Sequence, residues 1–472
     1  MDLNKLNRRN LLKTVGKVTM GSLIASPLSG KEPATKIPVY EKNPRYRKPA
    51  GPLTAVVLGA GGRGNVYASY SKKFPEELKI IGVAEPIPFR RERFSEVYGI
   101  EKRYQWTTWE HVLEVPKFAD VVIITTPDHL HYGPAMRAIS LDYDILLEKA
   151  MAQTWQQCVD IYNQSKEYNK IVGICHVLRY APYFRKMKEL IDSDKLGEII
   201  SVQHLEPIEH IHMSHSFVRG NWRNSDESTP IILSKSCHDT DILRWLIGKP
   251  SKRISSFGSL KHFRKESAPA GHTARCTDGC PVEPQCPYSA LKIYLKNKTW
   301  LWHLAIPDQE DTTILEALKT GPYGKCVYQT DNNVPDHQIT NIEFQDNITA
   351  SFSMEAFTHY GGRRTRIFGS KGDLNGDMNT LTYTDFLTGS QGIWDSSSAS
   401  QLESAHGGGD YGVLHDFIQA VTQRDETLLS SNIEASMESH LMGFKAEESR
   451  LQNGKVMDLS LVEAGISGRK KE

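Results

Sequence analysis

An apolar run, Leu53-Thr54-Ala55-Val56-Val57-Leu58, leads straight into Gly59-Ala60-Gly61-Gly62-Arg63-Gly64 and then into a helical segment. A buried strand, a G-x-G-x-x-G turn and a helix in that order form the dinucleotide-binding fingerprint. Gly59 permits the tight turn, Gly61 lets backbone amides approach a diphosphate, and Gly64 lets the helix pack closely on the strand. The diphosphate then lies at the helix N-terminus, where free N–H groups and the helix dipole favour an anion. A second apolar run over 78–84 ends in Glu85. An acid about 20 residues beyond the last glycine is placed to meet the adenosine ribose hydroxyls.

The pattern continues as a doubly wound parallel sheet requires, with a helix over 90–98, a strand over 119–124, the turn Thr125-Thr126-Pro127-Asp128-His129-Leu130-His131, a helix over 132–141, and a strand over 144–147 ending in Glu148-Lys149. A helix over 155–168 and a short strand over 171–174 close a Rossmann domain spanning 51–174. Polar residues gather just after the strand ends, the carboxyl edge at which open α/β sheets bind ligands.

At 472 residues the chain is long enough for two or three domains. Its 57 Lys+Arg balance 56 Asp+Glu, so nothing in the charge points to nucleic acid or a membrane surface. No run is apolar for long enough to span a bilayer. Residues 1–50 read as a leader. Paired Arg8-Arg9 before the weakly apolar stretch 14–25 resembles a twin-arginine export signal, and 26–50 is a Pro/Lys-rich linker. The expected location is therefore periplasmic or otherwise exported. A short basic terminal helix, and with it a cytoplasmic protein, is the plainer alternative.

From Cys175 onward the character changes. A helix is expected over 183–193. Strands are expected over 199–206, 254–259, 325–329, 338–344, 348–356, 365–368 and 381–386, many alternating as a sheet with one covered face does. Helices are expected over 413–421 and 433–451.

The order of Gly59 to Gly64, Thr126-Pro127 with His131, Glu148-Lys149, Arg179-Tyr180 with Pro182, and His238-Asp239-Thr240-Asp241 before Leu243-Arg244-Trp245-Leu246 resembles the Gfo/Idh/MocA oxidoreductases, over about residues 50–450. The resemblance implies an α/β protein. Its N-terminal Rossmann domain would precede a C-terminal α/β domain, here 175–472, with a large, mostly antiparallel open sheet for substrate binding and oligomerisation, as a dimer or tetramer. It also implies NAD chemistry on a secondary hydroxyl of a sugar-like substrate, with Lys149 and His238 at the reacting oxygen. Lys149 stands beside Glu148 at a strand end, and His238 suits proton transfer because imidazole titrates near neutrality. Cofactor contacts are expected from Gly59, Gly61, Gly62, Arg63, Gly64, Glu85, Arg90, Thr126, Pro127, His131, Glu148, Lys149 and His176. Substrate contacts are expected from Arg179, Tyr180, Arg219, Trp222, Asp241 and His359.

Two positions depart from the family's pattern. Its Glu-Lys-Pro is Glu148-Lys149-Ala150 here, and its aspartate one helical turn before the histidine is Ser234. His238 then lacks an orienting carboxylate unless Asp241 supplies it, and Lys235 is a second acid/base candidate. Glu85 favours NAD over NADP by repelling a 2′-phosphate, while Arg90 and Arg91 leave NADP open.

Cys276, Cys280 and Cys286 lie in a Pro/Gly-rich insertion, 266–288, with His272 upstream and Cys326 beyond. They suit a structural zinc site or, equally, one or two disulfides. His204, His210, His212 and His215 suit sugar hydroxyls or a divalent metal. The loops beginning at His359 and His406 are further ligand candidates. The expected function is an exported NAD-dependent oxidoreductase acting on a secondary hydroxyl, with C3 of a sugar or glycoside as the position. The alternatives are a redox-neutral glycosidase or lyase that oxidises C3 transiently, and a non-catalytic sensor of sugar or nucleotide.

Overall fold

The computed structural model describes residues 45, 47–396, 406–461 and 465. The Arg8-Arg9 signal lies outside the described residues. Among the described residues no helix is long and apolar enough to cross a membrane.

The first sheet is built from β1 (Leu53–Leu58), β2 (Leu78–Ala84), β3 (Gln105–Trp106), β4 (Val121–Ile124), β5 (Asp144–Leu147) and β6 (Val172–Ile174). Its six strands run in the order β3-β2-β1-β4-β5-β6, all parallel. Helices α1 (Gly62–Lys73), α2 (Pro88–Tyr98), α3 (Trp109–Glu114), α4 (Tyr132–Ser140) and α5 (Trp155–Glu167) connect them. A parallel sheet covered on both faces requires strands apolar throughout, and every residue of β4 and β5 is buried. The helix ends are marked in the sequence. Pro88 starts α2 and left-handed Gly99 stops it, while Thr154 and Gln157 form a capping box on α5.

The second sheet holds nine strands in the order β14-β13-β12-β11-β7-β10-β9-β8-β15. They are β7 (Ile199–Pro207), β8 (Ser251–Ser259), β9 (His337–Phe344), β10 (Thr349–Glu355), β11 (Arg364–Gly369), β12 (Gly372–Gly376), β13 (Thr380–Asp385), β14 (Gln391–Asp395) and β15 (Met457–Asp458). Pairing is antiparallel except between β7 and β10. Burial alternates along β9 and β10, so one face is covered. Helices α6 (Pro182–Asp192) and α7 (Cys237–Ile247) cover it, placing Phe184, Met187, Ile242 and Leu246 against Val202, Ile342 and Phe352.

Three features differ from the sequence expectation. Residues 325–329 form turns rather than a strand, with only an isolated bridge between Arg275 and Lys325. Their apolar members, Val327 above all, are buried beneath the insertion instead of on a sheet. Helix α8 (Asp311–Thr320) and strands β12 and β14 carry no strong periodicity in the sequence. Finally, α9 (Gly409–Gln423) and α10 (Ile433–Leu451) return to the first sheet. Leu414, Phe417 and Ile418 share a core with Ala55 and Val57 on one face, and Ile433 and Met437 join Val122 and Ile124 on the other.

Candidate active site

Gly59 ends β1 with φ +97°, and a Cβ there would meet the Thr125 carbonyl oxygen at 2.8 Å. A Cβ at Gly64 would collide with the Gly59 carbonyl, whereas Gly61 faces open space. The Glu85 carboxylate at the end of β2 accepts the Ala60 N–H at 2.8 Å and the Ile87 N–H at 3.0 Å, which fastens the second strand to the glycine turn. Thr125 Oγ1 donates to the Gly59 carbonyl at 2.7 Å. The open ledge at Gly61, the N-terminus of α1 beyond it and the acid at the neighbouring strand end fit a dinucleotide. Both arginines behind Glu85 are engaged within the protein. Arg90 Nη2 donates to the Trp302 carbonyl at 2.8 Å, and Arg91 Nη1 to the Glu85 carbonyl at 2.5 Å.

Thr126 Oγ1 donates to the Leu130 carbonyl at 3.1 Å, closing the turn that Pro127 begins. His131 is fully buried, with its ring nitrogens 2.6 and 2.8 Å from the carbonyls of Ala150 and Thr126. It ties the ends of β4 and β5 together and presents no nitrogen to a ligand.

At the end of β5 the Glu148 carboxylate accepts from Arg63 Nε and Tyr67 Oη, each at 2.6 Å. Burial alone would raise this carboxyl, but the Arg63 and Lys149 charges and the tyrosine hydrogen bond hold it below its usual range. Arg63 also pairs with Asp410 at 2.5 Å, at the start of α9. Asp410 lies 3.3 Å from His406 Nδ1.

Lys149 Nζ donates to the carbonyl of Ser234, on the turn before Lys235 and His238. Lys235, 16% exposed, pairs with Glu206 at 3.1 Å. Burial lowers its pKa, the Glu206 charge raises it and the Arg363 charge lowers it, and the balance is a lowered pKa. Arg363 binds Glu206 at 2.5 Å and Asp239 at 2.9 Å, and Asp239 lies 3.0 Å from His204 Nε2. His238 opens α7 with Nδ1 buried and unpartnered. Burial holds its pKa well below 6.5, with the Lys149 charge next. His176 is buried 6.2 Å from it, ring to ring, and is depressed in the same way by burial and then by His440. His212 is likewise depressed by burial and by the Lys235 charge. Two lysines and a neutral imidazole thus share one recess between the sheets, a set that can hold a substrate oxygen and move its proton.

Several residues expected at the substrate are taken up by contacts within the protein. Arg179 and Asp241 form a buried bidentate pair, at 2.7 and 2.6 Å, because neither charge can be buried alone. Asp241 therefore does not orient His238; the imidazole nearest it is His176, at 3.6 Å. Tyr180 is buried, with its hydroxyl 3.2 Å from Ser431. Arg219 donates to the carbonyls of Lys325 and Tyr288 at 2.7 and 2.8 Å, supporting the insertion. Trp222 Nε1 donates to Asp128 at 3.0 Å and joins the domains. His359 is exposed, and it is Arg363 of that loop that turns inward.

The four histidines also separate. His204 bonds Thr365 and Asp239, His210 faces the Thr358 carbonyl, His212 stacks on Trp300, and His215 bonds Tyr294. Cys276, Cys280, Cys286 and Cys326 line one small cavity with His272 and Arg219. All four are free thiols. Among the described residues no group of three His, Cys, Asp or Glu side chains is placed to hold a metal ion, so the zinc reading has no support. The sequence singles out neither Trp302, His440 nor Glu206, and it reaches Asp410 only within the candidate loop that begins at His406. Their only sequence signals were the glycines beside Asp410 and the alternation that turns Glu206 to the covered face of β7.

The family model described as oxidoreductase family, NAD-binding Rossmann fold, matches residues 53–176. Its companion, described as oxidoreductase family, C-terminal alpha/beta domain, matches 188–457. The oxidoreductase YteT of Bacillus subtilis is 23% identical over 367 residues, covering 73% of this chain and 83% of that protein. The 2,7-anhydro-N-acetylneuraminate hydratase of Escherichia coli is 24% identical over 147 residues, 31% of this chain and 38% of the hydratase. The solved structure of an inositol dehydrogenase homologue from Azotobacter vinelandii, complexed with NADH and myo-inositol, superposes with a TM-score of 0.62 at 13% identity, covering 88% of this chain and 99% of that one.

Proposed function

The chain belongs to the Gfo/Idh/MocA oxidoreductase family, and on that premise we propose that it interconverts a secondary hydroxyl and a ketone on a sugar or glycoside, at C3, with NAD. The observation that carries the reading is the meeting of Lys149, Lys235 and His238 in one recess at the carboxyl edge of the dinucleotide sheet. When bound, NAD supplies the hydride acceptor. The glycine turn and Glu85 would hold it; Glu85 repels a 2′-phosphate, and Arg90 and Arg91 each donate within the protein, which favours NAD over NADP.

The Lys149 ammonium uses one N–H on Ser234 and keeps two for the reacting oxygen. Its charge favours the alkoxide as the hydroxyl loses its proton. His238, neutral through burial, takes that proton. Glu206, itself bound by Arg363, holds Lys235 in place.

A redox-neutral glycosidase or lyase is the second reading. Lys235 favours it, because elimination after oxidation at C3 needs a further base for the C2 proton, and burial lowers the pKa of this amine. The hydratase relative points the same way. Incubation of the purified protein with cyclitols, free sugars and aryl glycosides separates the readings. NADH formation with keto-sugar supports the dehydrogenase, phenol release without added cofactor supports the glycosidase, and no turnover together with no effect of Lys149→Ala on ligand binding sinks both.

Export through the Arg8-Arg9 signal and assembly as a dimer or tetramer belong to the same proposal. Cell fractionation and light scattering test them.

A further inference from the structure

Residues 298–306 run from the insertion across the domain seam to the dinucleotide turn. The segment is anchored at several points. Trp300 stacks on His212 at 4.9 Å and on His215 at 5.0 Å. His215 in turn packs on Tyr323 at 4.8 Å and against His303 at 4.7 Å. Trp300 and Ala305 hold left-handed backbone, φ 61° and 55°, a conformation that non-glycine residues keep only where their surroundings fix it.

Between these anchors, the turn Leu301–Leu304 carries Trp302 to the glycine loop. The indole Cδ1 and Nε1 lie 3.7 and 3.8 Å from where a Gly62 Cβ would stand, and no other atom outside the loop lies within 4 Å of that point. The Arg90 guanidinium lies 5.4 Å from the indole centroid and that of Arg93 5.9 Å, while Arg90 Nη2 donates to the Trp302 carbonyl. Two donors in this contact are buried without a partner, Trp302 Nε1 and Arg90 Nε. Buried N–H groups are almost always paired. The indole thus brings one of them, Trp302 Nε1, to Gly62 at the first turn of α1, with Arg90 held against the same ring.

We propose that residues 298–306 form a strap over the dinucleotide site, that Trp302 Nε1–H donates to the cofactor diphosphate, and that the strap holds the cofactor through successive turnovers. This rests on the reading that the glycine loop binds NAD. The strap and the N-terminus of α1 enclose the diphosphate from opposite sides. The dinucleotide leaves only when the Trp302–Arg90 contact parts and Trp300 slides from between its histidines.

The full-length protein, Trp302→Phe and Trp302→Ala are loaded with NAD. Release is followed by chase with excess etheno-NAD, with circular dichroism and Tm to confirm folding. Trp302→Phe keeps an aromatic ring and removes the N–H, and release about tenfold faster is expected, that being the contribution of one hydrogen bond to a charged acceptor. Trp302→Ala is expected to release faster still. If Trp302→Ala does not fold, Trp302→Phe alone decides. Release from Trp302→Phe at the wild-type rate overturns the strap and leaves the NAD site standing. Failure of the wild-type protein to take up NAD overturns both.

Discussion

Lys149 at the end of β5 donates its ammonium to the backbone carbonyl of Ser234. One hydrogen bond thus runs from the dinucleotide sheet to the turn that carries Lys235 and His238. With serine at this position the lysine is held by main chain rather than by a carboxylate, and in the proposed mechanism its charge serves the substrate oxygen. Replacement by Met preserves length and removes the charge. Lys149→Met is expected to lower kcat at least about 100-fold, the usual worth of a positioned charge or donor on a developing oxyanion, while NAD affinity by calorimetry changes little.

The pH dependence follows from His238. Burial and the Lys149 charge depress its pKa well below 6.5, so it is neutral and able to accept a proton throughout the neutral range. In the oxidative direction kcat/KM should stay level as pH falls past 6.5 and decline only below that. A decline centred near 6.5, the value of an ordinary imidazole, would remove His238 as the base.

Stability has its own acid limit. In the unfolded chain the imidazoles of His176, His212 and His238 protonate near 6.5, but in the folded protein all three are depressed well below that value. The unfolded state therefore binds more protons once pH drops below 6.5, and stability falls with pH from there down toward the folded values. Tm recorded at pH 7.5 and 5.5 should be lower at 5.5, and less so in His212→Phe.

Glu85 holds the glycine turn through the N–H groups of Ala60 and Ile87. Glu85→Gln keeps an acceptor for one of them but removes the charge that repels a 2′-phosphate. NAD affinity should weaken about tenfold and the preference over NADP should narrow, as read from fluorescence titrations with the two nucleotides.

Asp128 accepts from Trp222 at 3.0 Å and from Thr229 at 2.9 Å, joining the turn after β4 to the second domain. Asp128→Ala leaves both donors without an acceptor and should cost about 2–3 kcal/mol. The midpoint of urea unfolding should fall accordingly, with a larger loss than in Asp128→Asn.

What could be read from the chain was local. The run from Leu53 through the glycines to Glu85 is a continuous pattern of apolar residues, turn residues and an acid, and each part follows from its neighbours. The alternation of β9 and β10 likewise shows a sheet with one covered face. The inner strand β12 and the edge strand β14 are rich in glycine and polar residues, and only their partners make them strands. Cys326-Val327-Tyr328 has the composition of a strand, yet it folds as turns that line the insertion's cavity and join the core beneath the second sheet. The Arg179–Asp241 pair was hidden for another reason. Two charges far apart in the chain look available to a ligand until the fold neutralises one with the other.

Helix α9, which begins with Asp410 against Arg63 and lays Phe417 and Ile418 on the strands of the first sheet, has a consequence for the order of biosynthesis. The glycine turn leaves the ribosome early, but its ionic partner and one wall of its hydrophobic support are translated hundreds of residues later. Until then the nascent dinucleotide domain exposes an apolar face, and Arg63 has Glu148 but not Asp410 to pair with. The glycine turn therefore gains its full ionic and apolar support only once the C-terminal helices have been made and laid back on the first sheet.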